Sequence, residues 1–596
     1  MSEQFLSAEN VNGKGGAGEL GDLLVRYLER LEVDYVFGVP GGAIEPLLNA
    51  LARSEQRGGP RCVISRHETG AAFMADGYHS ATGKLGVCFA TTGPGVTNLI
   101  TGVASAYANH VPLLAITAQT ALTTFGRGAL QESSCTGINA LSFFESITLY
   151  NSLVSHPDQL EHKLAAAIIT AHRYPQGPVH LSIPIDILKT AANRQPQFAN
   201  LPRLVASGQI YDPLAFEEFF RLLTTSRKTV FVLGDEAAEA VEAMLEVASW
   251  LDIPLIVTPH GKGLVDPCHP LFRGVVGFAG HGTAIETLCD PDVDLVVAFG
   301  SRLGEWASNA WDRVALLNSR LVHVATSADF FIGSPMARLH LQGSTGLILQ
   351  KVLGRLDAEA RPRRWLPERV AELTARREYG FKLDDPLACS DDRSPILPQR
   401  LMTELPRLFP LSTRYVADSG NSFAWAVHYL HPHDYQSQAR SGRNNRVFKG
   451  TFDFASMGWA IGSAVGIALG VQGTPVVCIT GDGSYLMASQ EITVAIQEKL
   501  PVIYLILNDA AYGMVKHGQR LTEAERTGFD LPRIDFAAMA RSMGVDGYVI
   551  ESVDDLLALD MHHICHRAGP SLLDVRIDGE AKPPIDLRTR VLSKGR

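Results

Sequence analysis

Pro475-Val476-Val477-Cys478-Ile479-Thr480-Gly481-Asp482-Gly483-Ser484 passes from an unbroken apolar run into a glycine turn that carries one acid. The run reads as a buried strand. Residues 485–499 follow with apolar side chains at helical spacing, and a second apolar run, 501–507, ends at Asn508-Asp509. Strand, helix and strand in that order make a β-α-β unit, whose crossover sets both strand ends side by side at the carboxyl edge of a parallel sheet. Asp482 and Asp509 are therefore expected to meet there. Two oxygen ligands at such an edge suit a hard cation such as Mg²⁺, which keeps phosphate oxygens in its shell. Gly481 and Gly483 let an anion approach the backbone, and the helix N-terminus behind them favours negative charge. Taken by itself, the Gly-Asp-Gly turn is as readily a tight turn with an Asp cap. The second acid at the matching strand end favours the metal.

Outward from this unit, the same alternation of strand, glycine turn and helix recurs along the chain. Residues 1–17 are polar and glycine-rich and read as a loose tail. From 18 to 190, apolar runs at 35–39, 62–65, 85–91, 112–117 and 178–183 alternate with helical patterns, which predicts an α/β domain on a parallel sheet. A second such domain is expected over 205–355, with strands near 229–233, 255–258, 295–299 and 321–324. The charged, proline-broken stretch 356–395 reads as a solvated connector. A third α/β domain, 396–585, carries the acidic pair. The predicted architecture is three doubly wound parallel-sheet domains.

Composition narrows the function classes. Of 596 residues, 46% are hydrophobic and 19% charged, enough apolar mass for several cores. A net charge of −10 without a Lys/Arg-rich tract argues against nucleic acid. No apolar stretch is long enough to span a membrane, and no basic-then-apolar leader is visible, so a cytoplasmic setting is expected. The eight cysteines are scattered without a C-x-x-C pair, which points away from a disulfide framework and from a zinc site.

The segment 481–514 resembles the diphosphate-binding motif of thiamine diphosphate (ThDP)-dependent enzymes. That motif sets a metal-binding Asp after the first glycine and a second ligand, usually Asn, at the next strand end. The resemblance implies Asp482, Asp509 and the carbonyl of Ala511 as Mg²⁺ ligands. It implies Gly481, Gly483, Ser484, Tyr512, Gly513 and Met514 as cofactor contacts. Asp509 departs from the usual Asn and adds a negative charge beside the metal. Arg66-His67-Glu68-Thr69-Gly70-Ala71-Ala72-Phe73 resembles the segment of the activating Glu, and Thr91-Thr92-Gly93-Pro94-Gly95-Val96-Thr97-Asn98 the loop that follows it. By itself Glu68 is a first-turn carboxylate favoured by the helix dipole. By resemblance it would hydrogen-bond N1′ of the pyrimidine from a dry site, so that the cofactor's own amino group can remove the thiazolium C2 proton. Pro40, Thr92 and Asn98 would share that end of the cofactor. Gly420, Asn421 and Ser422 match positions that hold the diphosphate. Met457, with Ala455 beside it, stands where an apolar side chain bends the cofactor; without the resemblance Met457 reads as core filler. In these enzymes the two halves come from different subunits, which implies a homodimer or homotetramer with active sites at the dimer interface.

Within the family, the chain is most similar to the acetolactate synthase (acetohydroxyacid synthase) group. Val39-Pro40-Gly41-Gly42-Ala43 matches the loop near the reactive carbon, and Leu130-Gln131-Glu132 a further segment. Glu68, Gly42 and Gln131 are thus the candidate catalytic residues. Several positions depart from the group's pattern. Gly518 replaces a Trp, Gly304-Glu305-Trp306 replaces an acidic-acidic-Arg run, and Ala121-Leu122-Thr123 replaces Pro-Arg-Arg. Loss of that Arg removes a bidentate partner for an acceptor carboxylate. The expected reaction is decarboxylation of a 2-oxo acid, pyruvate foremost, and transfer of the acyl anion to a carbonyl acceptor. Two other enzymatic readings stand beside it: a flavin-linked oxidase, since FAD can accompany this group, and a simple decarboxylase. The decarboxylase needs a proton donor, usually a His pair in the first domain, and residues 113–132 hold none. A ThDP-fold binding module without activity is the non-enzymatic reading, against which Glu68 and Asp482 weigh. His67 and His281 are expected to be structural, and Lys262 a loop cation.

Overall fold

The computed structural model describes residues 18–206, 208, 210–433 and 446–593. It contains three six-stranded sheets, all parallel. The first is built from β1 (Tyr35–Gly38), β2 (Arg61–Ile64), β3 (Gly86–Ala90), β4 (Leu113–Gln119), β5 (Tyr150–Leu153) and β6 (Pro178–Pro184). The second comprises β7 (Thr229–Leu233), β8 (Leu255–Val257), β9 (Phe272–Val275), β10 (Leu295–Phe299), β11 (Leu321–Ala325) and β12 (Leu339–Gln342). The third comprises β13 (Arg414–Ala417), β14 (Phe448–Gly450), β15 (Val476–Gly481), β16 (Val502–Asn508), β17 (Asp546–Ile550) and β18 (Ser571–Arg576).

The outer sheets share one strand order, β2-β1-β3-β4-β6-β5 and β14-β13-β15-β16-β18-β17. The central sheet runs β12-β11-β10-β7-β8-β9, the order of dinucleotide-binding folds, with its switch point between β7 and β10. Strands β3, β4, β6, β7, β10, β13 and β16 are buried along their whole length, as expected of parallel strands covered on both faces by helices.

The first and third sheets are joined through the helices Glu68–Thr82 and Trp459–Gly470, which pack backbone to backbone. A Cβ on Gly77 would lie 2.1 Å from the Ser463 carbonyl oxygen, and one on Gly466 would lie 1.9 Å from that of Met74. Only glycine permits this approach. Trp459 Nε1 donates to Asp76 Oδ2 across the contact at 2.8 Å.

One local expectation is corrected. The helical pattern over 485–499 is three pieces: Asp482–Ala488, a 3₁₀ turn Ser489–Glu491, and Ile492–Gln497. Helix begins at Asp482 itself, and the break directs buried Glu491 to accept the Arg66 N–H at 3.1 Å. No helix among the described residues is long and apolar enough to cross a membrane.

Candidate functional site

Strand β15 pairs with β16 so that Gly481 lies opposite Leu507, and the chain leaves both strands at the same edge. Asp482 opens its helix there, buried to 3% exposure. Its Oδ1 accepts the Gly483 N–H at 2.7 Å, while Oδ2 is buried with no protein partner. Burial pushes its carboxyl up to about 6. Asp509, at the end of β16, is pushed up to about 7, first by burial and then by the charge of Asp482. Ala510 sits at φ +56°, a left-handed turn that carries the chain on to Ala511. Asn421 comes in from the end of β13. A Cβ on Gly513 would lie 2.6 Å from Asn421 Nδ2 and 3.2 Å from Asp509 Oδ2, so the three converge. Asn421 Oδ1 is also buried without a partner.

These residues face a cavity of about 550 Å³. Every candidate cofactor or metal residue from Gly420 onward lines it: Gly420, Asn421, Ser422, Ala455, Met457, the run from Gly481 to Ser484, Asp509, and the run from Ala511 to Met514; Gly518 does not. Sequence reasoning missed Asp418, which is fully buried below the floor. It accepts the N–H of Gly458 at 3.0 Å and the hydroxyl of Thr480 at 3.1 Å, fixing the turn after Met457 to the end of β15. Burial raises its carboxyl to about 6. An acid directly after an apolar strand, Asp418 after Ala417, was the available signal. The central sheet contributes Phe278, Glu305 and Trp306 to the cavity wall. The Trp306 ring stacks on Phe278 at 4.3 Å and on Phe423 at 5.5 Å.

The first-domain residues form a second group. Glu68 is the first residue of its helix, capped by His67, whose Nδ1 accepts the Thr69 N–H at 3.2 Å. Glu68 is 6% exposed, and Asn98 Nδ2 donates to its Oε2 at 3.0 Å. Thr92 Oγ1 donates to Gln131 Oε1 at 3.4 Å, and Gln131 itself holds φ +60° on an exposed loop. Pro40 and Gly42 are exposed at the end of β1, where nothing lies within 4 Å of a Cβ placed on Gly42. None of these residues is among those lining the cavity of the same chain. The structure thus brings the sequence-derived residues together as two separate clusters.

His281 is structural, as expected: Nδ1 accepts the Val275 N–H and Nε2 donates to the His428 carbonyl, both at 3.0 Å. Lys262 is not a loop cation. It is 3% exposed, its Nζ is 3.4 Å from His431 Nδ1, and burial pushes it down to about 7.

Three family models match the chain in order. Residues 18–138 match the N-terminal TPP binding domain of thiamine pyrophosphate enzymes, 216–352 their central domain and 418–575 their C-terminal TPP binding domain. The acetolactate synthase isozyme 2 large subunit of Escherichia coli is 30% identical over 566 residues, covering 93% of this chain and 95% of that one. The chain belongs to the thiamine diphosphate-dependent enzymes of the acetolactate synthase large-subunit group. The acetolactate synthase of Arthrospira platensis is 30% identical over 563 residues, with 93% of each chain covered. The acetolactate synthase large subunit of Parasynechococcus marenigrum is 31% identical over 579 residues, covering 94% of this chain and 87% of that one. The three matched regions of this ThDP-dependent enzyme fall one on each of its three parallel sheets.

Proposed function

We propose that this protein decarboxylates a 2-oxo acid, pyruvate foremost, and joins the acyl unit to a carbonyl acceptor, using ThDP and Mg²⁺ bound between its two residue clusters. The observation that carries this reading is the Asp482 carboxylate, buried at the cavity floor with Oδ2 unpartnered, beside Asp509 and the unpartnered Asn421 Oδ1. A buried acid, a half-buried acid and an orphaned amide oxygen suit a hard cation that carries phosphate oxygens. Asp482, Asp509 and the Ala511 carbonyl would hold Mg²⁺. Gly420, Asn421, Ser422, Gly481, Gly483, Ser484 and Gly513 would cradle the diphosphate, with Met457, Ala455, Tyr512 and Met514 along the cofactor's length. When bound, ThDP supplies an acyl-anion equivalent. Glu68, oriented by Asn98, holds or shares a proton at the pyrimidine nitrogen. Pro40, Gly42, Thr92 and Gln131 border the reacting end.

Because the Glu68 cluster and the cavity are separate within one chain, the active site is completed by a second copy. Exposed apolar residues lie beside both clusters: Leu130 and Phe143 near the first, Phe454, Met487 and Val515 near the second. Such apolar surface marks an interface. Coexpression of Glu68→Gln with Asp482→Ala tests it. A shared site gives mixed dimers with one intact centre, and about a quarter of full activity returns on random pairing. No recovery would mean that each chain completes its own site.

FAD does not fit. In the central sheet a pyrophosphate would enter at the switch point between β7 and β10. The cavity at that edge, lined in part by Asp235, Glu236, Arg302, Arg446 and Lys449, has a volume of only about 80 Å³, well below the size of a dinucleotide site. Burial pushes the Glu236 carboxyl there up to about 8, and Arg446 and Arg302 offset the charge of Asp235. The small volume weighs against the flavin-linked oxidase. The experiment for the reaction itself is product analysis with pyruvate alone, then with added aldehydes and 2-oxo acids. Carbon dioxide released without any carbon–carbon coupling would favour simple decarboxylation.

A further inference from the structure

Asp266-Pro267-Cys268-His269 lies between β8 and β9, and His433 follows the helix Asn421–Tyr429 of the third sheet. Where the two segments meet, one ligand-capable atom each from Asp266, Cys268 and His433 lies within 4.8 Å of the other two. Cys268 is 2% exposed, and its Sγ is 3.5 Å from His433 Nδ1. A tetrahedral zinc with bonds of about 2.3 Å to sulfur and about 2.0 Å to nitrogen separates those two atoms by about 3.5 Å. Asp266 Oδ1 accepts the Cys268 N–H at 2.8 Å, which fixes the carboxylate beside the thiol. The Tyr379 ring stacks on the His433 imidazole at 6.0 Å and 17°, limiting its rotation. An adjoining cleft of about 990 Å³, lined in part by Arg377, Tyr379 and His433, gives ions and water a path in.

We propose that Asp266, Cys268 and His433 form a zinc site that ties the central sheet to the third. A thiolate, an imidazole and a carboxylate favour Zn²⁺ over Mg²⁺. Binding replaces the thiol proton, which passes to solvent, and the two anionic ligands neutralise the cation. Burial, Arg377 and Arg407 disfavour a protonated His433 while Asp266 favours it, so a neutral imidazole faces the carboxylate and the thiol. The fourth position is left to water. Cys268 has no Cys partner nearby in sequence, which is why spacing gave no sign of a metal; folding supplies the other ligands. The site sits at the far end of the helix whose Asn421, Ser422 and Trp425 line the ThDP cavity, so metal loading anchors that helix.

The test uses the full chain with exposed Cys135 and Cys289 changed to Ser, titrated with Co²⁺ in excess Mg²⁺. The expected result is a thiolate-to-cobalt charge-transfer band that saturates at one equivalent and is erased by Zn²⁺. C268S abolishes the band, and H433Q and D266N weaken Co²⁺ binding by about tenfold or more. H433Q keeps the thiol and removes only a surface-side ligand, so it reads the site even if C268S misfolds. A parent protein without the band, or a band unchanged in H433Q, would show that Sγ and Nδ1 share only a hydrogen bond and would overturn the proposal.

Discussion

Asp509 lies at the end of β16 beside Asp482 at the end of β15, and the charge of Asp482 adds to burial in raising Asp509. Both carboxyl groups are held above their ordinary value of 3.8, at about 6 and about 7. Groups raised in this way stabilise the fold while protonated, and that contribution is lost as pH rises through the folded values. Metal-free protein is therefore expected to lose thermal stability between about pH 4 and pH 7. A ligand that binds the deprotonated pair stabilises over the same interval. Melting curves with chelator and with Mg²⁺ plus ThDP should diverge as pH rises. D509N removes the upper of the two steps, and D482A removes Mg²⁺-dependent ThDP retention. Curves that stay parallel from pH 4 to 8 would contradict the paired-acid account.

Glu68 takes its hydrogen bond from Asn98 at 3.0 Å and is nearly closed to solvent. A glutamine can keep that contact but cannot share a proton with the pyrimidine. E68Q is therefore expected to fold normally and to slow exchange of the thiazolium C2 proton by about 10²-fold or more. Exchange is followed by proton NMR after a deuterium pulse. An unchanged rate would remove Glu68 from the chemistry.

Much of this site was legible because the elements that hold it are the most apolar in the chain. β15 and β16 are continuous hydrophobic runs, and their acidic ends stand out against them. The strands that sequence did not announce, β5, β9, β12, β14 and β17, are all at sheet edges, where short length and partial exposure dilute the signal. β18 is central but hides behind Asp574, a buried acid in mid-strand whose oxygens take the Asn508 Nδ2 donor at 2.8 Å and the Phe536 N–H at 2.9 Å. Lys262 was misread because a single charge between two glycines gives no hint that three histidines and Phe448 will enclose it. Long-range contacts, Asp418 beneath Gly458 within the third domain and Trp306 against Phe423 between domains, depend on how elements dock, which local pattern does not encode.

The glycine contact between the first and third sheets is the most demanding packing feature. G466A would place a methyl carbon 1.9 Å from the Met74 carbonyl oxygen if the helices stayed where they are. The helices must separate, at a cost of about 1–3 kcal/mol. The expected outcome is a lower melting temperature together with weaker ThDP retention, since Glu68 and Met457 flank the same helix pair. A neutral G466A would mean that the two helices slide freely.

The small cavity at the β7/β10 edge predicts that the purified enzyme is colourless. Absorbance in the flavin region should be absent even after incubation with FAD, and oxygen should not be consumed during turnover. Stoichiometric yellow colour would show that the cavity beside Asp235 and Glu236 opens to admit the cofactor, and would reinstate the oxidase.

Acceptor choice follows from the cavity wall. Among the described lining residues there is no Arg or Lys; Glu305, Asp453 and Asp578 are acidic, and Trp306 presents a stacked ring. A second 2-oxo acid would bring its carboxylate to this wall without a cationic partner. Neutral aldehydes and ketones meet no such penalty, and the aromatic surface of Phe278, Trp306 and Phe452 can bury an apolar substituent. The wild type is accordingly expected to prefer aldehyde acceptors over pyruvate or 2-oxobutyrate. W306R gives up the stack on Phe278 but restores a guanidinium. One charge-assisted hydrogen bond of about 1.5–3 kcal/mol should shift the ratio of oxo-acid to aldehyde coupling by about tenfold or more. The measurement is the ratio of kcat/KM values for the two acceptor classes, with the rate of pyruvate decarboxylation as control. If W306R leaves that ratio unchanged while decarboxylation is intact, the acceptor carboxylate is read elsewhere, and the first-domain loop around Gln131 becomes the place to look.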